Sequence, residues 1–382
     1  MIPPEENQSS QFGSEDEVHT GYDFESGVLA RVREWNDVFP WLRLGRTLRA
    51  AGSPPLLMLV AVTFAIWAYG AERINGISQP VAYDTQLTVR QATQSAIELP
   101  KFDSLHSIVW AVGRRIEQST PVALFPTHGW KKETSPPFWQ TLAAIVWSLI
   151  IWMPATLLLL RQGALLTAGR PMVGFLAGLQ TAGRRCPFAY LMSFVPLACV
   201  CVIGFALLLT AWASRMGVWI ETPLSLFAAL IAVVCGILAF GSYFAVPIGW
   251  AALVNEKEPD VLDSLSRGYE YLYRRPMQMA MYWCIAIVIL LVVVFFAEGV
   301  GLVGAKVSVT MMELAGASDS MIATTRSHLR LFPFVVSMTL FWSLAGGIYL
   351  LLRRDAGGQE IEDLWQPTSL PTKPLPKIPT NN

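Results

Sequence analysis

Six long apolar runs, none with an acid or base near its middle, divide this chain at about 55–71, 138–160, 188–213, 223–253, 279–304 and 331–352. About 20 apolar residues of helix cross the hydrocarbon of a bilayer, so each run is long enough or nearly so, the first being the shortest. The run Ile285–Phe296, IAIVILLVVVFF, carries the argument best. Eleven of its twelve residues are Ile, Val, Leu or Phe, each contributing about −0.3 to −0.6 kcal/mol to insertion. The run alone sums to roughly −3 to −7 kcal/mol, and one central Lys or Arg, at about +2.5 to +3.5, would offset much of it. Only 15% of the 382 residues are charged, against about 25% in an ordinary soluble domain. The expected fold is therefore an all-α polytopic membrane protein with six transmembrane helices.

Orientation follows from Lys and Arg beside the runs. Arg31, Arg33, Arg43, Arg46 and Arg49 precede span one, and Arg161, Arg170, Arg184 and Arg185 lie between spans two and three. Lys257, Arg267, Arg274 and Arg275 lie between spans four and five, and Arg353 and Arg354 follow span six. The alternate loops are sparser, so both termini are expected in the cytoplasm and the loop 72–137 outside. That loop carries Trp130 and Trp139 around Lys131 and Lys132, an interfacial pattern, and is expected to cap the outer surface. Residues 1–30 hold seven acids and no Lys or Arg and read as a disordered tail, whereas 353–382 read as a Pro-rich cytoplasmic tail. No secretory signal is visible, and span one is expected to remain as an anchor. A bacterial inner membrane is the expected location.

Interfacial amphipathic helices are expected before spans one, three and five. Residues 175–187, FLAGLQTAGRRCP, and 264–276, SLSRGYEYLYRRP, each close on a double Arg and a proline before a span. In the second, Asp260 suits a helix N-cap and Asp263 the positive end of the helix dipole. Leu262, Leu265, Tyr269 and Leu272 recur at helical spacing on one face, expected to rest on acyl chains. Pro276 is expected to mark the corner into span five. Arg184, Arg185, Arg267, Arg274 and Arg275 are the candidate contacts for anionic lipid headgroups or a partner protein.

The stretch DSLSRGYEYLYRRP (Asp263–Pro276) is similar to a motif of uncharacterised multi-pass membrane proteins of planctomycete-type bacteria. The likeness extends to LRLGRTLRAAGSPPLLML before span one and to IYLLLRRDAGGQEIEDLW at the end of span six. The resemblance implies a six-span architecture and carries no information about activity. Span two departs from that pattern. It ends PATLLLLRQGALLTAGRP where those proteins place Gly-Gly-Ala and then Thr-Arg, which argues against close helix packing there.

Catalytic chemistry finds little support. His19, His106, His128 and His328 are scattered, the five cysteines form no CxxC, and neither GxSxG nor a phosphate-binding P-loop motif occurs. No cofactor, metal or nucleic-acid partner is expected, and the cysteines read as small buried hydrophobes. Gly299, Gly301 and Gly304 form a GxGxxG, but at the end of a long apolar helix, where close helix packing is the expected use. Gly236, Gly241, Gly249, Gly346 and Gly347 read the same way. Glu298 falls near the outer end of span five, and no second acid, His or Lys lies at depth to make a proton relay. The preferred expectation is a non-enzymatic protein that organises lipid or protein partners through a basic cytoplasmic face. The alternative is a transporter or permease subunit for an apolar or lipid-like solute, with Pro154, Pro196 and Pro247 kinking spans two, three and four to shape its path.

Overall fold

The computed structural model describes residues 38–75, 138–258, 260–358, 361, 364 and 365. The acidic N-terminal tail, the outer loop from 76 to 137 and the Pro-rich stretch from 366 lie outside the described residues. Among the described residues every regular element is helical. A collar comes first, a 3₁₀ segment Pro40–Thr47 followed by the single α-turn Leu48–Ala51. Seven helices follow: α1 (Pro54–Asn75), α2 (Phe138–Thr167), α3 (Phe175–Ala213), α4 (Val218–Asn255), α5 (Val261–Arg274), α6 (Pro276–Leu314) and α7 (Asp319–Gly357). Five of them (α2, α3, α4, α6 and α7) are long and apolar enough to cross a membrane. A sixth crossing arises only if α1 is taken together with the collar, from which it bends by 72°.

The helices overrun the expected spans. Those of 38 or 39 residues are about 57–59 Å long at 1.5 Å per residue, nearly twice the hydrocarbon thickness. Before span three no separate interfacial helix forms, because α3 runs unbroken from Phe175 through Pro187. Proline removes one i→i−4 bond there. A single buried stripe spans the gap: Ala182, Arg185 and Cys186 precede the proline, and Ala189, Met192 and Ser193 follow it on the same face. Packing on both sides outweighs one missing hydrogen bond. Before span five the expected break does occur. Asp260 Oδ1 accepts from the Leu262 and Asp263 amides at 2.9 and 3.3 Å, starting α5. The chain leaves the helical region at Arg275 (φ −136°, ψ 53°), as a residue before proline tends to do, and α6 starts at Pro276.

One half of the molecule is densely packed. It gathers the end of α2, the start of α3, the end of α4, all of α5, the start of α6 and the end of α7. This half holds Arg43, Arg161, Arg185, Arg267 and Arg353 and is called the basic end below. Here α7 is buried on every side from Val335 to Leu352, the mark of a central helix. The α2–α7 seam is the tightest contact of the fold. A methyl on Gly163 would lie 1.8 Å from the Ser343 carbonyl oxygen, and one on Gly346 would lie 2.0 Å from that of Leu160. Gly347 sits against Thr167 and Leu44, so the collar closes the same seam. The sequence argument against close packing in this part of span two is thereby corrected: backbone meets backbone at Gly163.

Helix α5 also packs on protein. Its buried residues are Val261, Ser264, Leu265, Gly268 and Tyr271. A methyl on Gly268 would lie 2.3 Å from the Ala245 carbonyl oxygen of α4. Leu262, expected on the apolar face, is 65% exposed instead. Away from the basic end, α3 with α4 and α6 with α7 form two hairpins whose apolar side chains are largely exposed, among them Phe205, Leu208, Leu230, Phe295 and Val303. Of the GxGxxG glycines, Gly299 and Gly304 face open space, as does Gly236, so the close packing expected of them is absent. Only Gly301 makes an ordinary contact, with Leu329 and Pro333. The cysteines correct another expectation. Cys186 is buried, but Cys199, Cys201 and Cys284 are exposed.

Candidate functional site: an arginine cluster at the basic end

The last four carbonyls of any α-helix lack partners inside it and carry the negative end of its dipole. At the end of α4 two arginines from neighbouring helices supply the missing donors. Arg161 of α2 donates through Nη1 to the Val254 carbonyl at 2.8 Å. Arg185 of α3 donates to the carbonyls of Leu253, Glu256 and Lys257 at 3.0, 3.0 and 3.1 Å. Arg161 is 1% exposed and Arg185 7%. A guanidinium presents five N–H groups in a planar fork, which suits one side chain to several carbonyls. Three consecutive spans are thus tied at one point.

The carboxylate beyond α4 ties in the rest. Glu256 accepts from the Tyr349 hydroxyl of α7 at 2.9 Å and pairs with Arg267 of α5. Arg267 also meets Asp263 one turn earlier at 2.7 Å. Burial alone would pull the Arg267 pKa down, but the Glu256 and Asp263 carboxylates outweigh it and leave the pKa raised. Burial pushes the Tyr271 hydroxyl up to about 12. A second tie joins α6 to α7, where the Tyr282 hydroxyl donates to Asp355 at 2.6 Å.

Beyond α7 the chain folds back over this cluster. Ile361 and Leu364 are buried. Arg170 donates to the Leu364 carbonyl and Arg161 Nη2 to that of Trp365, both at 3.3 Å. The Trp365 ring centroid lies 5.3 Å from Arg161 Cζ and 5.1 Å from Arg185 Cζ, within cation–π range of both. The stretch expected to be only a tail thus contributes the end of α7 and a cover for the basic end.

The five candidate arginines separate into three groups. Arg185 is turned inward and bonded to carbonyls. Arg267 is half-buried and ion-paired, and Arg274 is exposed and pairs with Glu270 one turn away at 2.6 Å. Arg184 and Arg275 are exposed and have no ion pair among the described residues. Pro154, Pro196 and Pro247 each lie inside an unbroken helix, and Pro196 and Pro247 are buried. Sequence reasoning used Arg161 only for orientation and passed over Glu256, Tyr349 and Trp365. Arg161 carried the one available signal, an ionisable residue closing an apolar run with no acid nearby in sequence.

Among the described residues no three His, Cys, Asp or Glu side chains gather where they could hold a metal ion. The cluster is rich in donors and poor in free bases. Within the protein those donors meet backbone carbonyls and the Glu256 carboxylate. Comparison with protein-family models, with curated proteins and with solved structures gives no match to this chain.

Proposed function

We propose that the protein is a non-enzymatic, multi-pass scaffold of a bacterial cytoplasmic membrane, with both termini in the cytoplasm, that gathers anionic lipid at its basic end. The observation that carries the reading is the division of adjacent arginines. Arg185 is consumed in holding the fold, while Arg184, next to it, is exposed with no ion pair among the described residues, as is Arg275 at the start of α6. Arg46 and Arg49 of the collar are exposed on the same end. A basic residue at an anionic leaflet surface is worth about 1 kcal/mol. The basic end also follows the rule that cytoplasmic segments carry the excess of Lys and Arg. The close-packed α2–α7 seam weighs against a solute path along the central helix.

The test is lipid retention. The protein and the R184Q/R274Q/R275Q variant are drawn into nanodiscs from a membrane mixing phosphatidylglycerol with phosphatidylcholine, and the bound lipids are weighed. Wild type should enrich phosphatidylglycerol and the variant should not, with the two equally resistant to unfolding. Equal enrichment would refute the lipid reading. A stoichiometric protein that co-purifies with wild type and is lost with the variant, without lipid enrichment, would replace lipid by a protein partner.

A further inference from the structure

We propose that Arg161, backed by the positive charge of Arg185, forms a specific site for a phosphate group, closed in this structure by the C-terminal segment that lays Trp365 across it. Arg161 spends Nη1 on the Val254 carbonyl. That leaves the edge made by Nε and Nη2, the edge that takes an oxyanion through two parallel hydrogen bonds. Among the described residues Nη2 meets only the Trp365 carbonyl, at 3.3 Å, just beyond the usual range, and Nε is buried without a partner. A carbonyl fills half of a fork that a phosphate fills completely.

The surroundings favour an anion. Two guanidiniums share one indole ring, and neither has a carboxylate partner among the described residues. Among the described residues the Glu256 carboxylate acts on Arg185 electrostatically without an ion pair, and it is already engaged by Tyr349 and Arg267. The Trp365 ring is the surrogate for negative charge, and a phosphate can fill the Arg161 edge while its charge is held by both cations, where a neutral carbonyl does neither. Among the described residues the cover is held by two 3.3 Å hydrogen bonds, the ring contacts and the buried Ile361 and Leu364. Arg161 lies six residues before the end of α2, about 9 Å along the axis, so the site sits at headgroup level if α2 crosses the membrane. This inference stands apart from the exposed arginines, because it uses none of Arg184, Arg274 or Arg275.

The test uses the full chain in phosphatidylcholine nanodiscs. One arm adds inorganic phosphate and a second includes phosphatidylglycerol, and binding is read by native mass spectrometry. If the cover is closed nine-tenths of the time, W365A should bind one phosphate group per chain about tenfold more tightly than wild type. Adding R161K, which removes the planar fork, should abolish that gain. Binding in the first arm identifies a soluble phosphate as sufficient, and binding only in the second identifies a lipid headgroup. Equal binding by W365A and wild type, full binding by W365A/R161K, or no binding in either arm would overturn the proposal. Should R161K fail to fold, W365A combined with R184Q/R274Q/R275Q decides. Retained binding supports the inward site, and lost binding places the phosphate on the exposed arginines and overturns it.

Discussion

Replacing Gly163 by alanine adds one methyl carbon to the most crowded point of the fold. That carbon would lie 1.8 Å from the Ser343 carbonyl oxygen and 2.5 Å from its Cα. Carbon and carbonyl oxygen settle at about 3.3–3.6 Å, so α2 and α7 must part by roughly 1.5 Å. The obstacle is backbone, which has no rotamer to yield. Over-packing costs about 1–3 kcal/mol, and an unyielding wall places Gly163 at the top of that range. Alanine is a better helix former than glycine by about 0.8–1 kcal/mol, so a net loss of about 2 kcal/mol is expected. Gly346→Ala, 2.0 Å from the Leu160 oxygen, should lose as much. The double variant should lose less than the sum, because one separation relieves both clashes. Gly236→Ala, with nothing within 4 Å, keeps only the helix gain and should be neutral to about 1 kcal/mol more stable. Equilibrium unfolding in sodium dodecyl sulfate, followed by circular dichroism, measures all four. If Gly163→Ala and Gly236→Ala unfold together, the packed seam does not exist as described.

Tyr271 supplies an alkaline limit. Its hydroxyl ionises at about 12 in the fold against an ordinary 10, so the unfolded chain releases that proton first. The associated stability is complete below pH 10 and is lost as the pH rises through 12. Thermal unfolding at pH 9 and pH 11 should therefore show a smaller alkaline loss for Tyr271→Phe than for wild type, and equal losses would refute the assignment. Tyr349→Phe removes a buried donor to the Glu256 carboxylate and should cost about 2 kcal/mol in the same detergent titration. An unchanged midpoint would show that the hydroxyl does not hold Glu256.

The elements that water or backbone chemistry dictates were legible in the sequence. The apolar runs announce the helices, Asp260 announces the start of α5, and Pro276 announces the corner after it. Which side of each helix meets protein was not legible, because lipid is as apolar as any core. On α5 the large apolar Leu262 is exposed, and the contact face is marked by the small Ser264 and Gly268. On α3 the buried stripe mixes Ala182, Cys186 and Ala189 with Arg185 and Met192, while Phe188 and Leu191 are exposed, so hydrophobicity does not mark it. Small residues do not suffice either. Gly299 and Gly304 carry the same signal as Gly163 and face open space, because a glycine invites a neighbour without supplying one. The cluster around Glu256 was hidden for another reason. Its members come from Arg161, Arg185, Arg267, Tyr349 and Trp365, separated by up to 204 positions and joined only through tertiary contact.

Arg184 and Arg185 are one residue apart and chemically identical, so the contrast between them is a test of geometry alone. Successive side chains on a helix point about 100° apart, which sends Arg185 onto the end of α4 and leaves Arg184 outside. Three carbonyls on one guanidinium require a flat fork. A lysine has three donors on one tetrahedral nitrogen, and when buried it sheds its proton readily. Arg185→Lys therefore leaves at least one of the Leu253, Glu256 and Lys257 carbonyls without its donor, at about 1–3 kcal/mol for a buried unsatisfied group. The same exchange at Arg184 meets water or headgroups and should change stability by less than about 0.5 kcal/mol. If the two lysine variants unfold alike, charge alone is at work at both positions, and the α4 cap falls as the organising contact of the basic end.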